Sequence, residues 1–170
     1  MLASIILAEA LAIHEGKDVV QSQDYGPESR GGASKADVVV GETDYPKALH
    51  PDVLVAMSPS ALRRYGPEVA RGATVLVDET WVSPEEARSL VPESCRLVLL
   101  PLTRLARERC GRALVANIAA LGALSALTGA VSLEALEKAV RSRVPRGAEG
   151  ANLCALRVGF EAASASEALK

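Results

Sequence analysis

The stretch Ala73-Thr74-Val75-Leu76-Val77-Asp78 decides the fold. It is aliphatic without alternation and ends on an acid, and Asp52-Val53-Leu54-Val55-Ala56-Met57 repeats the pattern upstream. Runs that are apolar on both faces mark strands covered by helices on each side of a sheet. A third such run, Arg96-Leu97-Val98-Leu99-Leu100, precedes Pro101. Ser58-Pro59 follows the earliest of the three runs as an N-cap with proline at the first helical position. Ser83-Pro84-Glu85-Glu86 follows the middle one, with Glu86 placed as a capping-box carboxylate. Strands alternating with helices predict a three-layer α/β/α sandwich around a largely parallel sheet.

Outward from this centre, residues 2–15 carry apolar positions near helical spacing, and Gly16 ends them. Residues 18–23 and 36–40 read as strands flanking an irregular loop, 24–34. The C-terminal third is helical: an alanine-rich segment from Ala113 to Ala130, a Ser132-capped helix over Leu133–Val144, and a last helix from about Asn152 to Ala163. The 113–130 segment is long and apolar, but Asn117, Ser125 and Thr128 interrupt it, which favours a buried or interface helix over a membrane span. The 170 residues fit one domain, 1–170.

Composition narrows the function classes. Lysine and arginine number 19 against 21 acids, and aromatics are 3%, so neither a basic footprint nor stacking platforms for nucleic acid are present. The same balance argues against adhesion to an anionic membrane. Met1 leads straight into Leu2-Ala3-Ser4-Ile5-Ile6-Leu7 without a basic n-region, so no signal peptide is expected. Cys95, Cys110 and Cys154 are scattered, with no C-x-x-C, and read as buried thiols in a reducing, cytoplasmic compartment. They cannot by themselves build an iron–sulfur or structural zinc site. His14 and His50 stand alone, so no metal site is expected.

Few residues invite chemistry. No G-x-S-x-G elbow exists, and no catalytic residue is assigned. Asp78 sits where α/β proteins place a ribose- or metal-binding acid, yet no glycine-rich fingerprint precedes it, so a solvated strand end is the preferred reading. Asn117 is either a satisfied core amide or an interface group on a helix whose small residues Ala116, Ala120 and Gly122 allow close packing. The most informative segment is Asp24-Tyr25-Gly26-Pro27-Glu28-Ser29-Arg30-Gly31-Gly32-Ala33-Ser34. Turn chemistry explains Gly26-Pro27. It does not require Arg30 beside two glycines, a pattern that suits an anion or a partner surface, because the bare backbone approaches closely and arginine grips bidentately. A free-standing anion- or nucleotide-binding module follows from that segment alone.

The segment Tyr25-Gly26-Pro27-Glu28…Arg30-Gly31-Gly32 resembles the signature of the gamma subunit of 2-oxoacid:ferredoxin oxidoreductases. The likeness continues through Asp44-Tyr45-Pro46-Lys47, Pro51 to Ser58, Pro101 to Glu108, Val115-Ala116-Asn117-Ile118, Ala120-Leu121-Gly122 and Asn152 to Leu156. The 2-oxoglutarate branch is the best match; pyruvate, branched-chain and indolepyruvate oxidoreductases are the alternatives. The resemblance implies a non-catalytic subunit of a cytoplasmic complex that decarboxylates a 2-oxoacid, passes the acyl group to coenzyme A and reduces ferredoxin. It places thiamine diphosphate, magnesium and iron–sulfur clusters on partner alpha, beta and ferredoxin-like delta subunits, with none held by this chain. It assigns cofactor or subunit contact to Tyr25, Gly26, Glu28, Arg30, Gly31 and Gly32, with coenzyme A as the candidate ligand and a homodimer as the candidate isolated form; Pro27 within the loop and Asn117 as the interface group complete the candidate contacts. Family members open with a strand and a G-x-G-G-Q-G loop before the helix at Leu2. This sequence opens inside that helix, which implies a sheet short of one strand with a neighbour left unpaired.

Overall fold

The computed structural model describes residues 1–24, 33–43 and 45–168. Its elements run α1 (Leu2–Glu9), continuing as a π-helical turn (Ala10–His14), β1 (Val19–Asp24), β2 (Lys35–Val40), β3 (Val53–Ala56), α2 (Pro59–Tyr65), β4 (Thr74–Asp78), α3 (Pro84–Leu90) and β5 (Arg96–Leu100). Four helices follow: α4 (Leu102–Cys110), α5 (Ala116–Thr128), α6 (Leu133–Arg143) and α7 (Glu149–Ala168). The π turn ends at Gly16, whose φ of 66° is a left-handed value that glycine adopts without strain.

The three aliphatic runs form the expected parallel sheet in the order β3-β4-β5, with Val55 opposite Leu76 and Leu76 opposite Val98. Period 2 sorts their side chains into two cores. Val55, Leu76, Val98 and Leu100 face a large cluster with α1, α4, α5, α6 and α7. Leu54, Ala56, Val75, Val77, Leu97 and Leu99 face a smaller one with Leu62 of α2 and Ala87 of α3. Helices therefore cover both faces of the sheet, which makes three layers.

The other two strands depart from the parallel expectation. β1 and β2 form a separate antiparallel hairpin, with Val19 opposite Val40 and Ser22 opposite Asp37. Residues 25–34 are too few for a crossover, since parallel neighbours need a connection of about a dozen residues or more. Within the described residues no strand pairing links the hairpin to β3, although Val19 and Val38 pack on the same cluster as Val55.

The three serine caps form as the sequence predicts. Ser58, Ser83 and Ser132 accept from the backbone N–H of Ala61, Glu86 and Ala135. The capping box at Ser83 is not closed, however, because the Glu86 carboxylate turns away to Arg63 on α2, 2.5 Å distant. The cysteines need a larger correction. Cys110 and Cys154 are not buried thiols; they form a disulfide across 44 residues of sequence, because α4 ends beside the first turns of α7 with a Cα separation of 5.8 Å. Cys95 is free and half-buried, its thiol donating to the Ala70 carbonyl. No helix among the described residues is long and apolar enough to cross a membrane.

Candidate functional site

The candidate loop residues Tyr25, Gly26, Pro27, Glu28, Arg30, Gly31 and Gly32 lie outside the described residues, and the frame that carries them does not. β1 delivers the chain at Asp24 and β2 receives it at Lys35. Asp24 pairs with Lys47 at 3.2 Å, and that hydrogen bond, then the carboxylate's charge, hold the Lys47 ammonium above the usual lysine range. Ser22 donates to the Pro46 carbonyl at 2.8 Å, which pins the segment bearing Lys47 to the hairpin. On the return side Tyr65, the last residue of α2, donates its hydroxyl to the Ala33 carbonyl at 3.1 Å. Lys35 and Arg64 stand 5.7 and 5.8 Å from the Tyr65 ring centroid, within cation–π range.

Each cation of this frame already has an anion. Lys35 pairs with Asp37 at 3.1 Å, Lys47 with Asp24, and Arg64 with Glu68 at 3.1 Å. Among the described residues the cations of the frame are thus matched by carboxylates.

The end of the parallel sheet is a second place where chemistry could reside. Asp78 is fully buried rather than solvated, contrary to the preferred reading of the sequence. Its Oδ1 accepts from the Thr80 N–H at 3.1 Å, and its Oδ2 accepts from the Thr103 N–H at 3.1 Å and the Thr103 hydroxyl at 2.5 Å. Pro101 makes no side-chain cap at the start of α4, so Asp78 caps that helix from the neighbouring strand. With both oxygens engaged, the carboxylate is not presented to a ribose or a metal. Thr103 also accepts from the Trp81 indole N–H at 3.2 Å, which fixes a ring that is 60% exposed. Sequence reasoning missed Trp81 and Tyr65. The only signals were a single tryptophan three residues past a strand-end acid and a tyrosine closing a short helix.

Asn117 sits in the first turn of α5, half-buried rather than in the core. No hydrogen bond among the described residues joins it to the loop frame. His50 places Nδ1 3.0 Å from the Glu68 carbonyl, an ordinary structural contact. Among the described residues no three of histidine, cysteine, aspartate and glutamate converge as metal ligands.

These features define a three-layer α/β/α fold with a separate antiparallel hairpin whose strand ends are tied to Lys47 and Tyr65. The chain belongs to the pyruvate ferredoxin/flavodoxin oxidoreductase family, whose pattern it matches over residues 1–162. It is 44% identical over 166 residues to the 2-oxoglutarate synthase subunit KorC of Methanocaldococcus jannaschii, which covers 96% of this chain and 87% of the relative. Two solved structures share the fold. The keto/oxoacid ferredoxin oxidoreductase gamma subunit of Geobacter sulfurreducens superposes with a TM-score of 0.82 at 42% identity, covering 96% of this chain and 90% of that one. The pyruvate oxidoreductase subunit PORC of Thermotoga maritima superposes with a TM-score of 0.77 at 31% identity, covering 94% and 87%.

Proposed function

We propose that this chain is the gamma subunit of a 2-oxoglutarate:ferredoxin oxidoreductase, a cytoplasmic complex that decarboxylates the oxoacid, transfers its acyl group to coenzyme A and reduces ferredoxin. The observation that carries this reading is near-full-length likeness to a 2-oxoglutarate synthase subunit at 44% identity. The likeness to a pyruvate oxidoreductase subunit stands lower, at 31%. The chain's part in the complex is assembly and the shaping of the coenzyme A region. Thiamine diphosphate, magnesium and the iron–sulfur clusters belong to alpha, beta and delta partners.

The hairpin is the docking element. Every residue of β1 and β2 keeps some exposure, and the apolar side chains of Val40, Tyr45 and Leu49, at 51, 53 and 63% exposed, line the hairpin and the segment after it. An isolated two-stranded sheet with such a surface gains stability when a partner covers it. The loop at its tip carries Tyr25, Gly26, Pro27, Glu28, Arg30, Gly31 and Gly32 to the partner or to coenzyme A, and Asn117 contributes from α5.

Reconstitution tests the reading. The alpha and beta subunits, with and without this chain, are assayed for coenzyme A-dependent reduction of ferredoxin by 2-oxoglutarate and by pyruvate. Full activity is expected only with this chain present, and with 2-oxoglutarate preferred. Equal activity in its absence, or failure to co-elute, would refute the assignment. Arg30→Ala is expected to lower turnover of the assembled complex by roughly tenfold or more, the worth of one charge-assisted contact. Its thermal midpoint should match that of the parent chain.

A further inference from the structure

Helix α4 is anchored at its two ends by different means. Its start is fixed in the core: Leu102 and Ala106 are fully buried, and Thr103 is tied to buried Asp78. Beyond Ala106 the chain from Arg107 to Leu114 is exposed at every position except Cys110, which is half-buried. Leu114 reaches 90% exposure. The Arg109–Glu161 ion pair at 3.3 Å is the other side-chain tie from this stretch to α7, and its two side chains are 54 and 60% exposed. Such a surface pair is worth little. The sulfur bridge to Cys154 is therefore the one covalent hold on residues 107–114, which run between buried Ala106 and buried Val115.

We infer that Cys110 and Cys154 form a reversible thiol–disulfide couple that fixes or frees residues 107–114. Both cysteines are half-buried, so a solvent-borne thiolate reaches their sulfurs, whereas a disulfide sealed in a core would resist exchange. In the reducing direction a low-molecular-weight thiolate attacks one sulfur and expels the other as a thiolate. A second thiol resolves the mixed disulfide and leaves as the reductant's own disulfide, so two electrons and two protons end on Cys110 and Cys154. In the oxidising direction a low-molecular-weight disulfide accepts them. The dithiol form keeps the capped start of α4 and loses the covalent hold on its last turn. This goes beyond the subunit assignment and does not depend on it.

The whole chain is equilibrated in mixtures of reduced and oxidised glutathione, quenched with N-ethylmaleimide and weighed intact. Cys95 is free and serves as the internal reference. One label is expected at the oxidising end and labels on all three cysteines at the reducing end, in a single reversible two-electron step. Hydrogen exchange is then compared between the two forms. Amides of 107–114 should exchange roughly tenfold or more faster when reduced, with those of 74–78 unchanged. Labelling of all three cysteines in every mixture, or identical exchange in both forms, overturns the inference. Cys154→Ser should show the reduced exchange pattern without any reductant; retention of the oxidised pattern overturns it equally.

Discussion

The α5–α7 crossing and the β1–β2 hairpin rest against the same apolar cluster, yet they are held to it in opposite ways. At the crossing the backbones touch. A Cβ built on Gly122 would lie 1.8 Å from the Leu156 carbonyl oxygen, and one on Gly159 would lie 1.8 Å from that of Ala119. The two glycines are reciprocal, each opening the space the other helix fills, and Ile118, Leu121 and Leu156 close the core around them. Among the described residues the hairpin meets the cluster through half-buried Val19 and Val38. Polar contacts add to this attachment: Gln21 to the Ser4 hydroxyl, Ser22 to the Pro46 carbonyl, Lys47 to Asp24, and Tyr65 to the Ala33 carbonyl. Dense packing fixes the helical third, and hydrogen bonds that water can replace position the hairpin.

The largest effect should come from filling the crossing. Gly122→Ala forces the helices apart against a backbone carbonyl that no rotamer can relieve, at a cost of more than about 3 kcal/mol, above the usual range for overpacking. Urea denaturation measures it, and a loss below about 1 kcal/mol would mean that the helices do not touch there. Asp78→Asn comes next. The amide places an N–H₂ against one of the donors that the carboxylate now accepts, from Thr80 or Thr103. A loss of about 2–3 kcal/mol is expected. Trp81 fluorescence should red-shift as its Thr103 partner loosens.

The same contrast explains what the sequence disclosed. The strands and caps of the parallel sheet were legible because continuous aliphatic runs and Ser-Pro steps are local signals of burial and helix initiation. The helical third was legible as apolar helix. The glycine reciprocity was not, since Gly159 gains meaning only opposite Ala119. The Cys110–Cys154 bridge and the capping of α4 by Asp78 depend on elements 44 and 25 residues apart converging. No periodicity reports such a meeting. The candidate loop stood out by composition, whereas its frame, built from Tyr65, Lys35 and Lys47, is a tertiary arrangement. Glu86 shows the limit from the other side: its capping-box position was right, and Arg63 claimed its carboxylate.

A smaller effect lies where the π turn meets α6. Glu15 is hydrogen-bonded by Lys17 and by the Ser132 N–H, and these hold its carboxyl at about 2, below the ordinary value of 4.5. Burial raises the Glu9 carboxyl, but hydrogen bonds from Ser142 and Arg143 leave it net lowered. Both shifts are downward, so their stabilisation is complete above pH 4.5 and is lost as the pH falls toward about 2. Glu15→Gln should flatten this acid limb at a neutral-pH cost of about 1 kcal/mol, kept small by solvent screening of the Lys17 pair. Midpoints of urea unfolding across the acid range measure it. An unchanged slope would place the acid sensitivity elsewhere and remove this junction as a firm attachment of α1.

The smallest effect, and the one that tests the contrast most directly, belongs to Tyr65→Phe. The substitution removes the hydroxyl that Tyr65 donates to the half-buried Ala33 carbonyl and leaves the ring beneath Lys35. Water can replace a bond at that exposure, so global stability should fall by at most about 0.5–1 kcal/mol. Exchange at amides 22–24 and 33–37 should nevertheless rise, because that end of the hairpin has lost one of its few anchors while the crossing keeps its own. A loss as large as that of Asp78→Asn would mean that the hairpin unfolds with the core as one unit, and the loop would then stand on a rigid platform. A local rise in exchange at unchanged midpoint would mean that the loop end of the hairpin opens independently, so that covering by a partner subunit supplies the order that packing does not.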